Sequence, residues 1–205
     1  MTKPKENVTT TLMKDLDSDP KLKAILTSAW MAFSTYGYRK TSMDDIARGA
    51  AMSRPALYLH FKNKESIFRA LVEAYYADTV QTVAEILEAN TEPNQALSRA
   101  FAAQGGEAAE AMMASPHGME LLDAGVSVAA DIVEIGEGQL RDVYANWLSG
   151  MEKSGLITLE EPPQDVAKAF CAALKGVKMT APDYATYAKT IQVLARMFGA
   201  GLVPH

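Results

Sequence analysis

The chain has 205 residues, 48% hydrophobic and 22% charged, an ordinary globular balance with room for one large domain or a small one and a medium one. No window approaches the roughly 18 uninterrupted apolar residues of a membrane span, and the single Cys171 excludes an internal disulfide. Net charge is -5, unevenly spread: residues 1–75 hold 12 Lys and Arg against 8 Asp and Glu, a net +4, and the remainder is net -9. A basic head on an acidic body would turn its head to phosphates and its body away from them. His60, His117 and His205 are too scattered for metal-ligand spacing, so no metal or cofactor is expected. The N-terminus has no apolar signal-peptide core, which reads as a cytoplasmic protein with no membrane partner.

Residues 1–18 are polar and lysine-containing, and read as a flexible N-terminal arm. Asp19-Pro20 is a helix start, a capping carboxylate followed by proline at the first helical position. Leu22, Ile25, Leu26, Ala29 and Phe33 then recur at helical spacing up to Gly37. From Thr41 to Glu65 the pattern is two short helices, a tight turn between them, and the start of a third. Thr41 or Ser42 can cap the first, with Asp44 and Asp45 in its first turn where the helix dipole favours carboxylates. Ala51-Met52-Ser53 makes the turn, Ser53 caps the second helix and Pro55 sits near its start. Leu57 and Phe61 point to the core, leaving Arg54, Ala56, Tyr58, Leu59 and His60 on other faces. A helix this short is not stable alone. Braced from behind, it suits helix-turn-helix DNA binding.

A long helix runs from Glu65 to about Ala89 without Gly or Pro, a plausible strut. Asn90–Pro93 closes it and opens another, interrupted at Gly105-Gly106. Ser115-Pro116 reads as the cap and first position of a short helix, and Gly125–Lys153 as mostly helical with weak points at Gly136 and Gly138. Gly155 reads as a C′ residue. Leu156–Leu159 is a brief extended link, and Pro162-Pro163 starts a helix over 164–178. The last helix spans about Asp183 to Phe198, with Tyr184, Tyr187, Ala188, Ile191, Leu194, Ala195 and Phe198 at i, i+3, i+4, i+7. These last two helices need covering, either by the body core or by the same helices of a second copy as a four-helix bundle.

Ala29, Phe33, Gly37-Tyr38, Thr41-Ser42, Ile46-Ala47, Ala50, Ser53, Leu57-Tyr58, His60-Phe61 and Lys64-Glu65 fall as they do in the TetR family of bacterial transcriptional regulators, which the chain resembles over about residues 22–72. The family usually has Gly where this chain has Ala51, and Val where it has Met52. Glycine there eases a φ > 0 turn, so Ala51 implies a strain cost or a different turn. The resemblance implies that Arg54, Pro55, Ala56 and Leu59 face base edges, Arg54 with bidentate reach to guanine. It implies that Thr41, Tyr58, His60 and Lys64 hold phosphates. Ser42 and Lys62 complete the expected DNA-facing set.

The body carries no catalytic constellation, and no enzyme activity is expected. Phe101, Gln104, Met112, Met113, His117, Met119, Tyr144, Trp147, Met151 and Phe170 are the candidates for a ligand cavity, although such residues at helical spacing more often fill a solid core. The resemblance implies a homodimer, with Val166, Phe170, Leu174, Tyr184, Tyr187, Ile191, Leu194 and Phe198 as the candidate interface. The expected architecture is all-α. An N-terminal three-helix helix-turn-helix head (residues 19–66) sits on a larger helical ligand-binding and dimerisation body (67–205). The expected function is repression at double-stranded operator DNA, relieved by a small-molecule effector. A related activator or constitutive DNA binder without a pocket, or a helical scaffold or enzyme, are the alternatives.

Overall fold

Helix α1 (Pro20–Tyr36) starts where Asp19 and Pro20 place it: the Asp19 carboxylate accepts the amide protons of Lys21 and Leu22 at 3.0 and 3.1 Å. The structure, a computed structural model, describes residues 19–89 and 92–202, so the expected N-terminal arm lies outside the described residues. Gly37 ends α1 at φ 82°, a conformation that favours glycine, and a Cβ there would collide with the Glu120 carboxylate. Ser42 caps α2 (Met43–Gly49) in a reciprocal box with Asp45, the third helical residue. The Ser42 hydroxyl and amide hold the Asp45 carboxyl below its ordinary pKa.

The turn into α3 (Arg54–His60) is made without glycine. Ala51 takes φ 54° and so sits in the left-handed region at a cost to an alanine. Met52 packs on the head core, and the Ser53 hydroxyl accepts the Ala56 amide at 3.3 Å to cap α3. The chain continues as α4 (Lys64–Ala89), α5 (Pro93–Ala114), α6 (Gly118–Val128), α7 (Ala130–Lys153), α8 (Pro163–Thr180) and α9 (Tyr184–Leu202). Among the described residues there is no strand, as the all-α expectation requires.

Three boundaries differ from expectation. The helix expected from Pro116 begins two residues later, because the Ser115 hydroxyl is spent on the Ser34 carbonyl (2.7 Å) and the His117 amide (3.0 Å). The break falls at Ala129 rather than before Gly125, and Gly136 lies inside an unbroken α7. Helix α9 runs past Phe198 to Leu202. Gly199 is buried against Asn94, where it permits close packing rather than ending the helix. The expected interruption of α5 falls at Gly106, whose φ 48° and ψ -155° are not helical.

Packing divides the chain into two units. The first runs to Asp78 and adds Glu110–Glu134; the second comprises Thr79–Ala109 and the chain from Ile135 onward. By packing, the first unit is therefore not the contiguous stretch 19–66. Its core joins Ile25, Leu26, Phe33, Ile46, Leu57, Ile67 and Phe68 to Leu121 and Ala124 of α6. Phe33, Tyr38 and Phe68 meet with ring centroids 5.0–5.6 Å apart. In the second unit, Phe101, Tyr144, Phe170 and Phe198 form a cluster of mostly edge-on rings.

Candidate nucleic-acid interface

Only one of the seven residues of α3, Leu57, is buried. Burial of Leu57 fixes the helix to the head core and sets the rest of its surface outward. Arg54, Pro55, Tyr58 and His60 are exposed, Ala56 is half-buried, and Leu59 stands 87% exposed. A leucine so free of the core adds nothing to folding, and its methyl groups suit contact with an apolar group such as the thymine methyl. Lys62 follows, also exposed.

Arg54 is organised rather than free. Its Nη1 donates to Asp44 Oδ2 at 3.3 Å, its Nη2 to the Tyr58 hydroxyl at 3.5 Å, and its guanidinium lies 5.6 Å from the centroid of the Tyr58 ring. Sequence reading placed Asp44 in the first turn of α2 and missed this partner. The ten-residue separation carries no periodic signal.

Two residues expected to hold phosphates are committed elsewhere. Thr41 is 2% exposed, and its hydroxyl donates to the carbonyls of Gly37 (2.7 Å) and Ala32 (3.2 Å). Lys64 Nζ donates to the carbonyls of Tyr38 (2.8 Å), Arg39 (2.8 Å) and Thr41 (3.0 Å), beneath 4.9 Å of the Tyr38 ring. An ammonium has three protons, and all three are used. Both side chains tie the 37–41 loop to the head. The Ser42 hydroxyl likewise sits in its capping box. The cations standing exposed beside this loop are Arg39 and Lys40.

The loop is held from α6 as well. Glu120 Oε1 accepts the Arg39 amide at 2.9 Å, and its other oxygen lies 3.3 Å from His117 Nδ1. The Arg39 amide, with His117 second, holds the Glu120 carboxyl below its usual range. His117, expected to face a ligand, instead lines an open cleft of about 300 Å³ with Thr35, Tyr36, Lys40 and Asp45. Elsewhere in the unit, Arg69 makes paired bonds of 2.8 and 2.6 Å to Asp131, whose pKa falls to about 2 through that contact.

The remaining ligand candidates divide. Met112, Met113 and the 57%-exposed Met119 belong to the first unit. Phe101, Gln104, Tyr144, Trp147, Met151 and Phe170 belong to the second. There the Tyr144 hydroxyl donates to Gln104 Oε1 at 2.9 Å, and burial pushes its pKa well up. Trp147 Nε1 and Glu107 Oε2 are buried without a hydrogen-bond partner. Burial raises the Cys171 thiol to about 11, which leaves it protonated and unreactive.

Four of the eight residues expected at a dimer interface face inward. Phe170, Leu174, Tyr187 and Ile191 are buried within the chain's own second unit. Val166, Tyr184, Leu194 and Phe198 are half-buried. The exposed residues of α8 include Ala169, Ala172, Gly176 and Met179 beside the polar Gln164, Asp165, Lys168, Lys175 and Thr180, and those of α9 include Val193 and Met197.

Comparison with known proteins bears on this arrangement. Residues 25–71 match the family model described as bacterial regulatory proteins, tetR family. The HTH-type transcriptional activator FasR of Mycolicibacterium smegmatis is 32% identical over 88 residues, 43% of this chain and 40% of FasR. The chain thus spans less than half the length of that relative. A putative TetR-family regulator from Mesorhizobium loti superposes with a TM-score of 0.72 at 20% identity, over 92% of this chain and 99% of that one. SmeT, the repressor of a Stenotrophomonas maltophilia multidrug efflux pump, superposes with a TM-score of 0.69 at 21% identity, over 92% and 93% of the two chains. SmeT in complex with triclosan matches similarly, with a TM-score of 0.68. Among the described residues no helix is long and apolar enough to cross a membrane, and no group of acidic, His and Cys residues could hold a metal ion.

Proposed function

We propose that the chain, whose residues 25–71 match the model of the TetR family of bacterial regulatory proteins, represses transcription by binding operator DNA through α3 and is released by a small, largely apolar ligand. The observation that carries this reading is the exposed face of α3: Arg54, Tyr58 and Leu59 stand clear of a core that holds the helix only by Leu57. Arg54 presents donors to guanine, Leu59 presents methyl groups to thymine, and Tyr58, His60, Lys62, Arg39 and Lys40 position the head on phosphates. Thr41 and Lys64 serve the interface indirectly, by fixing the 37–41 loop.

One copy of α3 reads too few base pairs, so the reading requires a homodimer with two heads on successive major grooves. The outward residues Ala169, Ala172, Gly176, Met179, Val193 and Met197 are the surface we assign to it; the small side chains allow close helix approach. The ligand belongs in the second unit, around the Gln104–Tyr144 bond and the unpartnered Trp147 indole. The SmeT–triclosan complex supports a ligand of this kind. Ligand shifts the population of two arrangements only as far as it binds them unequally. FasR, an activator, supports a second reading in which the same contacts recruit transcription.

Selection of bound sites from random duplex DNA tests the proposal. A two-fold related site is expected, bound more weakly as salt rises. Selection of no sequence above background rules out the base-reading role.

A further inference from the structure

The guanidinium of Arg54 is bracketed from two helices. Asp44, in the first turn of α2, takes one Nη1 proton, and Tyr58, one turn further along α3, takes one from Nη2 and offers its ring face. All three side chains are at the surface: Arg54 is 58% exposed and Asp44 50%. Asp44 is not needed for the α2 cap, which Ser42 and Asp45 make between themselves. Its carboxylate therefore serves Arg54.

We propose that Asp44 is a positioning residue that sets DNA specificity by holding the Arg54 guanidinium in one orientation and cancelling its charge toward phosphates. The proposal rests on the reading of α3 as the base-reading helix. An unrestrained arginine on a long stem finds a phosphate on any sequence, and that contact carries no sequence information. A carboxylate beside it repels the phosphate and competes for the guanidinium, which weakens the unspecific mode. Arginine has five N–H donors. Two are engaged here, so three remain, and guanine O6 and N7 need two. The right base pair can thus be met with the bracket intact, whereas a phosphate is met only against the Asp44 charge. Discrimination arises from the repulsive group as much as from the attractive one.

The test measures affinity of the full chain for its selected site and for a scrambled duplex across a salt series. Asp44→Asn keeps the shape and removes the charge. It should tighten scrambled DNA about 3- to 10-fold and steepen its log–log salt slope by about 0.9, one phosphate contact. Affinity for the selected site should change less, so the specificity ratio falls. Asp44→Glu should restore the ratio. Added to Arg54→Ala, Asp44→Asn should lower the ratio no further, which a purely structural role would not produce. Thermal melting of each variant separates loss of fold from loss of ratio. An unchanged ratio in Asp44→Asn, beside an Arg54→Ala chain that loses preference at one base pair, overturns the proposal alone. So does an Asp44→Asn preference change at a different base pair, because Asp44 would then be a base contact itself. An Arg54→Ala chain that selects the same site overturns the base-reading role, and this proposal with it.

Discussion

The α3 face and the aromatic cluster of the second unit use large side chains in opposite ways. On α3, Arg54, Tyr58 and Leu59 stand in solvent and only Leu57 holds the helix down. In the second unit, Phe101, Tyr144 and Phe170 are the candidate ligand contacts and also the fully buried core. Stability and recognition are separable in the first region and joined in the second. Under the proposed reading a substitution on α3 reports on DNA alone, while one in the cluster must also be read as a core substitution.

The largest test of that contrast is Phe101→Ala. It should destabilise the chain by about 3–5 kcal/mol, measured by denaturant unfolding, while the base preference of the folded fraction stays the same. A changed preference would join the two regions. Next is Lys64→Met, which removes three charge-assisted bonds to the 37–41 loop and should cost about 2 kcal/mol. Binding to all sequences should weaken with an unchanged salt slope. A slope shallower by about 0.9 would return Lys64 to the phosphate role. Ala51→Gly relieves an alanine held at φ 54° and should stabilise by up to about 1 kcal/mol by thermal melting, with no effect on the second unit. The smallest effect is the acid response of the exposed Arg69–Asp131 pair. Asp131 has a folded pKa near 2, below its ordinary 3.8. Its contribution is complete above the ordinary value and is lost as pH falls through about 2. An Asp131→Asn chain should show a flatter fall of Tm over that window, and an identical fall would remove the pair from the account.

What could be read without coordinates was local. Asp19, Ser42, Ser53 and Gly155 mark helix ends through bonds made within a few residues, and the strain at Ala51 follows from its place in a turn that glycine suits. Longer reach left no such mark. Arg39 to Glu120 spans 81 positions, and nothing in the spacing announces it. The dimer candidates were drawn from the buried side of α8 and α9 for a physical reason. Apolar periodicity finds the stripe that a helix buries, so it selected Phe170, Leu174, Tyr187 and Ile191, which the chain covers itself. A face built from Ala169, Ala172 and Gly176 is small rather than apolar, and periodicity does not weigh it. Met112, Met113, His117 and Met119 were grouped with a cavity because the boundary was drawn along the sequence, whereas α6 completes the first unit.

That placement of α6 has a consequence for how the protein comes into being. As the chain leaves the ribosome, residues 19–78 emerge with Leu26, Phe33 and Phe68 but without Leu121 and Ala124, and with the Arg39 amide unanswered. The core of the first unit is complete only when Glu110–Glu134 has been synthesised, so its last contacts are non-local in sequence. A chain ending near Asp78 would hold α3 on a core that lacks Leu121 and Ala124, and should be cut by protease faster than the full chain.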